Sequence, residues 1–419
     1  MVHVQLFFVN FVVRTQNTLL MQTISQRVQA LSASQTLVMS QKSAELKAQG
    51  VDVINLSVGE PDFNTPEHIK AAAVAAIEGN FSFYTPVPGY MSLRTAIADK
   101  LTRENHLAFS PAQIVVGNGA KHALANVILA TVNPGDEVII PTPAWVSYVE
   151  LIKLAGGVPV TVSTGIDSDF KISPAQLEAA ITGNTRAIIL CTPSNPTGSV
   201  YSREELKSLV EVLVKHPQVM VIADEIYEHI LYTGGEIVSI ASFSEMEGRV
   251  VVINGVSKAY AMTGWRIGYC ACPPEVAKAV TKLQGQMTSG ASSIAQKAAE
   301  AAYTGPQECV ENMREAFQRR RDLVVRLARE IPGLRVNVPQ GAFYLFPEVS
   351  EYLNKTAPDG RHIATDSDLA MYLLECAHVA TVAGAAFAAP GYIRLSYATS
   401  DENLTEAFRR ISAALSELK

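Results

Sequence analysis

Five stretches of the 419-residue chain set reactive side chains beside glycines or at the ends of apolar runs. In VSKAYAMTGWRIGY (256–269), Lys258 follows an apolar run and Arg266 comes eight residues later. A lysine amine can attack a carbonyl or carry a proton. Arg266 offers the planar donor fork that suits a phosphate, and Gly264 and Gly268 allow close backbone approach. Taken alone, Lys258 reads as an ordinary solvated lysine; its neighbours raise the chemical reading. In VMVIADEIYEHI (219–230), Asp224 ends an apolar run, where a carboxylate is costly to bury without a cation or strong donor. A salt bridge, a helix N-cap or a protonated ring nitrogen would each satisfy it, and Tyr227, three residues on, could reach the far side of such a ring.

The third stretch, VVGNGAKHALANVILA (115–130), reads as strand, turn and helix with Gly117 and Gly119 at the turn. Free N–H groups at a helix start bind phosphate. The stretch is neither GxGxxG nor a Walker motif, which counts against nucleotides. The fourth, CTPSNPTG (191–198), is a β-turn sequence that could present Asn195 to a ligand. The fifth, PGYIRLSYATS (390–400), puts Arg394 among apolar neighbours, where its partner is either an internal carboxylate or a substrate carboxylate held bidentately.

Elements that could position these side chains are legible in the same pass. The runs QIVVG, EVIIP, PVTV, AIILC, VMVIAD and VVVING are apolar on both faces and alternate with helical patterns, which predicts a mostly parallel sheet covered by helices on each side. After about residue 305 the texture becomes α+β: a charged amphipathic helix (311–331), strand candidates LRVNV, AFYLF and YIRLSYA, and a closing helix (402–418). The expected division is residues 66–305 as a large domain and 306–419 as a small one, with 21–65 packing on the small domain. A ligand would sit between the lobes at the C-terminal ends of the parallel strands.

Composition narrows the function classes. Hydrophobic residues at 48% and charged residues at 18% describe a globular chain. A formal charge of -6 removes the broad positive field that nucleic-acid binding requires. Five cysteines at 191, 270, 272, 309 and 376 lack paired CxxC spacing and read as reduced cytoplasmic thiols, with no metal site expected. The apolar stretch from Val2 to Val13 is too short to span a bilayer and lacks both a basic leading region and an A-x-A cleavage site. Met21 opens an ordinary start, so residues 1–20 are expected to be an extension or a loose arm, and no membrane partner is expected.

Together the five stretches resemble the class I aminotransferases of pyridoxal 5′-phosphate (PLP) fold type I, most closely the bacterial aspartate aminotransferase subgroup. The resemblance runs from about residue 25 to the C-terminus and includes LSVGEPDFNTPEHI, YTPVPGYMSLR, NPGDEVIIPTPAWVSY and GAFYLFP. It implies an α/β large domain with a mostly parallel seven-stranded sheet between helices, a smaller α+β domain, and transamination from an L-amino acid, with aspartate the expected donor, to 2-oxoglutarate by a ping-pong mechanism. Aromatic or broad-range transamination, and a PLP-dependent lyase on the same fold, are the alternatives.

Residue by residue, Lys258 matches the lysine that holds PLP as a Schiff base, and Arg266 the phosphate-binding arginine. Asp224 matches the partner of the pyridine nitrogen, Tyr227 the donor to the phenolic oxygen, and Trp145 the aromatic stacked on the ring. Gly119, Ala120 and Lys121 match the phosphate-holding turn. Tyr84 matches the tyrosine that reaches the neighbouring subunit's phosphate, which implies a homodimer. On the substrate side, Arg394 matches the α-carboxylate clamp, helped by Asn195 and the backbone of Gly59; Lys121, Ser34 and Thr36 match groups that receive a distal carboxylate. Two departures stand out. Ser32-Ala33 replaces a Lys-Pro pair whose lysine serves prephenate-using members, which speaks against prephenate as a substrate. Gly255 replaces a phosphate-binding serine, for which Ser257 is a candidate substitute.

Overall fold

The structure, a computed structural model, describes residues 24–33, 35–235 and 237–419. The expected arm at 1–20 and the candidate Ser34 lie outside the described residues. The strands are β1 (Ile54–Asn55), β2 (Ile114–Gly117), β3 (Glu137–Thr142), β4 (Val158–Ser163), β5 (Thr185–Cys191), β6 (Met220–Asp224), β7 (Val250–Gly255), β8 (Gly268–Ala271), β9 (Tyr344–Leu345), β10 (Lys355–Thr356), β11 (His362–Ile363), β12 (Val379–Ala380), β13 (Val382–Ala383) and β14 (Ile393–Ser396). Seven of them form one sheet in the order β2-β8-β7-β6-β5-β3-β4. Only β8 runs against its neighbours, so the sheet is mostly parallel as expected.

Burial on both faces explains the near-continuous apolar strands. Alternate residues feed two cores. Val221, Ala223 and Val252 pack on one face with the helices Glu67–Glu78, Met91–Asn105, Arg203–Leu213 and Ser293–Thr304. Ile222, Val251 and Ile253 pack on the other with Ala120–Thr131, Ser147–Ala155 and Pro274–Met287. Local signals agree with these elements: Ser202 caps the helix Arg203–Leu213 in a reciprocal box with Glu205. Strands β5, β6 and β7 end at Cys191, Asp224 and Gly255, so the parallel sheet delivers three of the five chemical stretches at one edge.

A further core joins Glu308–Arg329, Asp401–Ser416, β9 and β14. There β13, β14 and β9 make a three-stranded sheet that carries Arg394 in its middle strand. Strand β1 pairs with β12, which ties the chain before residue 65 to its C-terminal part. The strand expected at LRVNV (334–338) does not form: only Arg335 bridges, to Glu348. Asn337 bonds instead to Asp169 and Thr197 with its side-chain amide, so cross-chain polar contacts replace a ladder. Among the described residues no helix is long and apolar enough to cross a membrane.

Candidate active site

The C-terminal ends of β5, β6 and β7 open onto a cavity of about 580 Å³ lined by Lys258, Asp224, Tyr227, Asn195, Trp145, Ala120, Lys121, Arg266, Gly59, Thr36 and Arg394. Ser257 also lines it. The structure thus brings together all but three of the expected residues. Gly119 sits just behind the wall, Ser34 lies outside the described residues, and Tyr84 stands apart with 97% of its surface exposed.

Lys258 donates from Nζ to the Gly59 carbonyl at 2.5 Å. Burial is the largest influence on its amine; Arg394 and Arg266 add to it and Glu60 and Asp224 oppose it, leaving the pKa at about 8. An amine so depressed is available as a base or nucleophile near neutral pH.

Asp224, 4% exposed, is pushed up by burial. Two donors restrain that rise: Tyr148 Oη at 2.6 Å from Oδ2 and the Ile226 N–H at 3.3 Å from Oδ1. Among the described residues the carboxylate has no cationic partner in direct contact, so it can accept a further proton-bearing group from the cavity.

At the phosphate-type end, the turn before the helix Ala120–Thr131 has Gly119 at φ +86°, and a Cβ there would collide with the Arg266 guanidinium. The missing side chain is what lets Arg266 lie against this helix start. Arg266 itself adopts a left-handed backbone and donates to the carbonyls of Thr263 (2.8 Å) and Asn118 (3.2 Å). Lys121 Nζ lies 4.8 Å from the centre of the Trp145 ring. Burial and the nearby Arg266 both lower the Lys121 pKa. Gly255 is a packing glycine: a Cβ would lie 2.7 Å from Gly268 Cα on the neighbouring strand.

Arg394 is 2% exposed, yet no carboxylate pairs with it among the described residues. It donates to Asn195 Oδ1 at 3.0 Å and to the Ser57 carbonyl at 2.5 Å, and its Nε has no partner. A guanidinium buried in this way is costly unless an anion completes it.

Among the lining residues not singled out from the sequence, three carry groups that bear on the chemistry. Tyr148 falls three residues after Trp145, in the first turn of the helix Ser147–Ala155, and this nearness to Trp145 could have revealed it. Tyr344 meets Tyr227, hydroxyl to hydroxyl, at 2.8 Å and lies under Arg394. Glu60 follows Gly59 directly and, after burial, is the largest influence on the Lys258 amine, raising its pKa.

The cavity therefore gathers two cations with a helix start, a buried carboxylate with spare acceptor capacity, a flat aromatic wall and a depressed lysine. This donor set fits a phosphorylated aromatic aldehyde whose ring nitrogen carries a proton.

The sequence model of the family described as aminotransferase class I and II matches residues 51–411. The chain is similar to the aspartate/prephenate aminotransferase of Nitrosomonas europaea, 49% identical over 94% of this chain and all of that protein. It is also similar to the crystal structure of the Rhizobium meliloti aspartate aminotransferase, with a TM-score of 0.91 and 45% identity, covering 94% of this chain and 99% of that one. The Thermus thermophilus aspartate aminotransferase with maleate gives a TM-score of 0.86 at 43% identity, covering 93% and 99%.

Proposed function

Because the chain belongs to the aminotransferase class I and II family and is a PLP-dependent aminotransferase of fold type I, we propose that it moves the amino group of aspartate to 2-oxoglutarate through the residues around Lys258. The observation that carries this reading is Arg394, a buried guanidinium lining the cavity with no carboxylate paired to it among the described residues. The relatives named for aspartate, and the one solved with the dicarboxylate maleate, support the same substrate class.

In this reading the backbone N–H groups of Ala120 and Lys121 and the guanidinium of Arg266 hold the phosphate, Gly119 leaves room for Arg266, and Ser257 stands beside them. Trp145 covers one face of the ring. Asp224, braced by Tyr148, holds a proton at the ring nitrogen. Tyr227 and Asn195 donate to the ring's phenolic oxygen and so favour its deprotonated form near neutral pH. Bound PLP supplies the electron sink that lets a bond to the substrate Cα break.

Arg394 and Asn195 hold the α-carboxylate, and Lys121 with Thr36 and Ser34 receives the distal one. Together they turn the Cα–H toward Lys258 Nζ, which takes that proton and returns it elsewhere. A 2-oxo acid then occupies the same clamps and the proton moves back. This two-clamp arrangement favours a dicarboxylate over an aromatic donor, and a proton shuttle over the lyase alternative.

The division into 66–305 as cofactor-binding domain and 21–65 with 306–419 as the smaller one is part of the proposal; the β1–β12 pairing supports it. So is a homodimer in which Tyr84 reaches the neighbouring phosphate, supported by the exposure of Tyr84 at 97% beside Phe83 at 80%. Five unpaired cysteines support a reducing, cytoplasmic setting.

The test is a half-reaction panel: the PLP form is mixed with single amino acids and its conversion to the pyridoxamine form is followed by absorbance. Aspartate and glutamate should be the fastest donors. If they are the slowest, the assignment of Lys121 and Arg394 to a dicarboxylate is wrong.

A further inference from the structure

Tyr344 belongs to the cavity, but neither the family motif nor the reading above gives it a task. Its hydroxyl lies at a junction. It shares a 2.8 Å hydrogen bond with the Tyr227 hydroxyl, and the two rings meet edge to face at 5.7 Å. The Arg394 guanidinium carbon lies over the same ring, 4.5 Å from its centre, and 5.0 Å from the centre of the Phe387 ring. Gly59, whose carbonyl accepts from Lys258, approaches the Tyr344 hydroxyl so closely that a Cβ would overlap it. The side chain is 1% exposed, so neither contact competes with bulk water.

We propose that Tyr344 is a positioning residue that sets the donor strength of Tyr227 through its hydroxyl and the seat of Arg394 through its ring, coupling the carboxylate clamp to the cofactor's oxygen. The inference rests on the reading of Tyr227 and Arg394 given under Proposed function.

The two halves of the side chain act by different physics. Either hydroxyl can donate in this pair; once the Tyr227 proton is given to the cofactor's oxygen, Tyr344 must be the donor. A bond donated into the Tyr227 oxygen polarises that hydroxyl and makes its own proton a better donor, as in any chain of hydrogen bonds in a low dielectric. Among the described residues no carboxylate holds Arg394, so the aromatic rings of Tyr344 and Phe387, with Asn195 and Ser57, define where the guanidinium stands before substrate arrives. One side chain thus touches both the group that holds the substrate and the group that tunes the cofactor.

Conservative variants separate the halves. Tyr344→Phe keeps the ring and removes the hydroxyl; Tyr344→Leu removes both. Holoenzyme is titrated with pH to read the pKa of the bound cofactor's absorbance, and maleate is titrated at fixed pH to read its Kd. Losing a donor to the phenolic oxygen raises that pKa. Tyr227→Phe, the direct loss, should raise it by about 1–2 units. Tyr344→Phe should raise it by about 0.2–0.4 unit, the cooperative share of that bond, with the maleate Kd within about twofold of wild type. Tyr344→Leu should raise the pKa similarly and weaken maleate about 30-fold, the loss of one desolvated cation–π contact.

If Tyr227→Phe shifts the pKa and Tyr344→Phe does not, the role of Tyr344 is refuted and that of Tyr227 stands. If Tyr227→Phe itself leaves the pKa unmoved, the underlying reading of Tyr227 fails. A maleate Kd unchanged in Tyr344→Leu removes the link to Arg394.

Discussion

Replacing Glu228 by Gln would strip the charge from the carboxylate that backs the Asp224–Tyr227 loop. Glu228 pairs with Lys100, which is fully buried, and accepts from Asn105 and Asn254 side-chain amides, each at 2.6 Å. Lys100 and Asn105 lie on the helix Met91–Asn105, Asn254 on β7 just before Lys258, and Glu228 four residues beyond Asp224. One side chain therefore ties three segments behind the cavity.

Breaking a buried pair by removing one partner costs about 3–5 kcal/mol. Glu104, 3.7 Å from Lys100, remains as a second anion and puts the loss near the lower end, about 3 kcal/mol. With about 2.1 cal/mol/K per residue of unfolding entropy over the chain, that lowers Tm by about 3–4 °C. Burial alone would push Glu228 up; Lys100, His229 and the hydrogen bonds from Lys100 and Asn105 outweigh it and hold the carboxyl below its ordinary 4.5. A depressed carboxylate contributes stability that is complete above the unfolded pKa and is lost as pH falls through the folded one. The gap between wild type and E228Q should therefore be full at pH 7.5 and narrow below about pH 4.5.

The assay is thermal unfolding of apoenzyme for wild type, E228Q, Lys100→Met and the double variant. The neutral double variant should recover to within about 1 kcal/mol of wild type, because no buried charge is left alone. Additive single losses, or an E228Q Tm within about 1 °C of wild type, would refute the keystone role.

Three further outcomes follow from the cavity. Gly119→Ala, strained at φ +86° and colliding with Arg266, should weaken PLP binding about tenfold or more in a fluorescence titration. Lys121→Met should lower kcat/KM for aspartate by about 10–100-fold while alanine changes by less than about threefold, since only the distal carboxylate loses a charged donor. With the Lys258 amine depressed to about 8, the rate of PLP capture by apoenzyme should climb with pH and level off above that value, because the free amine is the nucleophile; an inflection near the ordinary lysine value of about 10.4 would show that burial does not act as described.

The strands and the chemistry at their ends were legible because both are local. Apolar runs such as VVVING mark strands buried on two faces, and Lys258, Asp224 and Asn195 stand directly after such runs. What could not be read depends on contacts between distant parts of the chain. Lys100 looks like any helix lysine until Glu228, 128 residues away, is packed against it. Tyr344 is one aromatic of GAFYLF, and nothing in that run distinguishes it from Phe343 until Tyr227 and Gly59 arrive from other elements. LRVNV has strand composition yet does not pair, because Asn337 is drawn into polar contacts with Asp169 and Thr197. Tyr84 was marked by its motif alone, and it stands exposed and apart from the cavity.

One bond, between the cofactor and Lys258, decides whether this chemistry operates. Purified protein loaded with PLP, reduced with borohydride, digested and read by mass spectrometry should carry the pyridoxyl mass on Lys258 and on no other lysine. A label on another lysine, Lys121 included, or protein that binds PLP without reducible attachment, would contradict it.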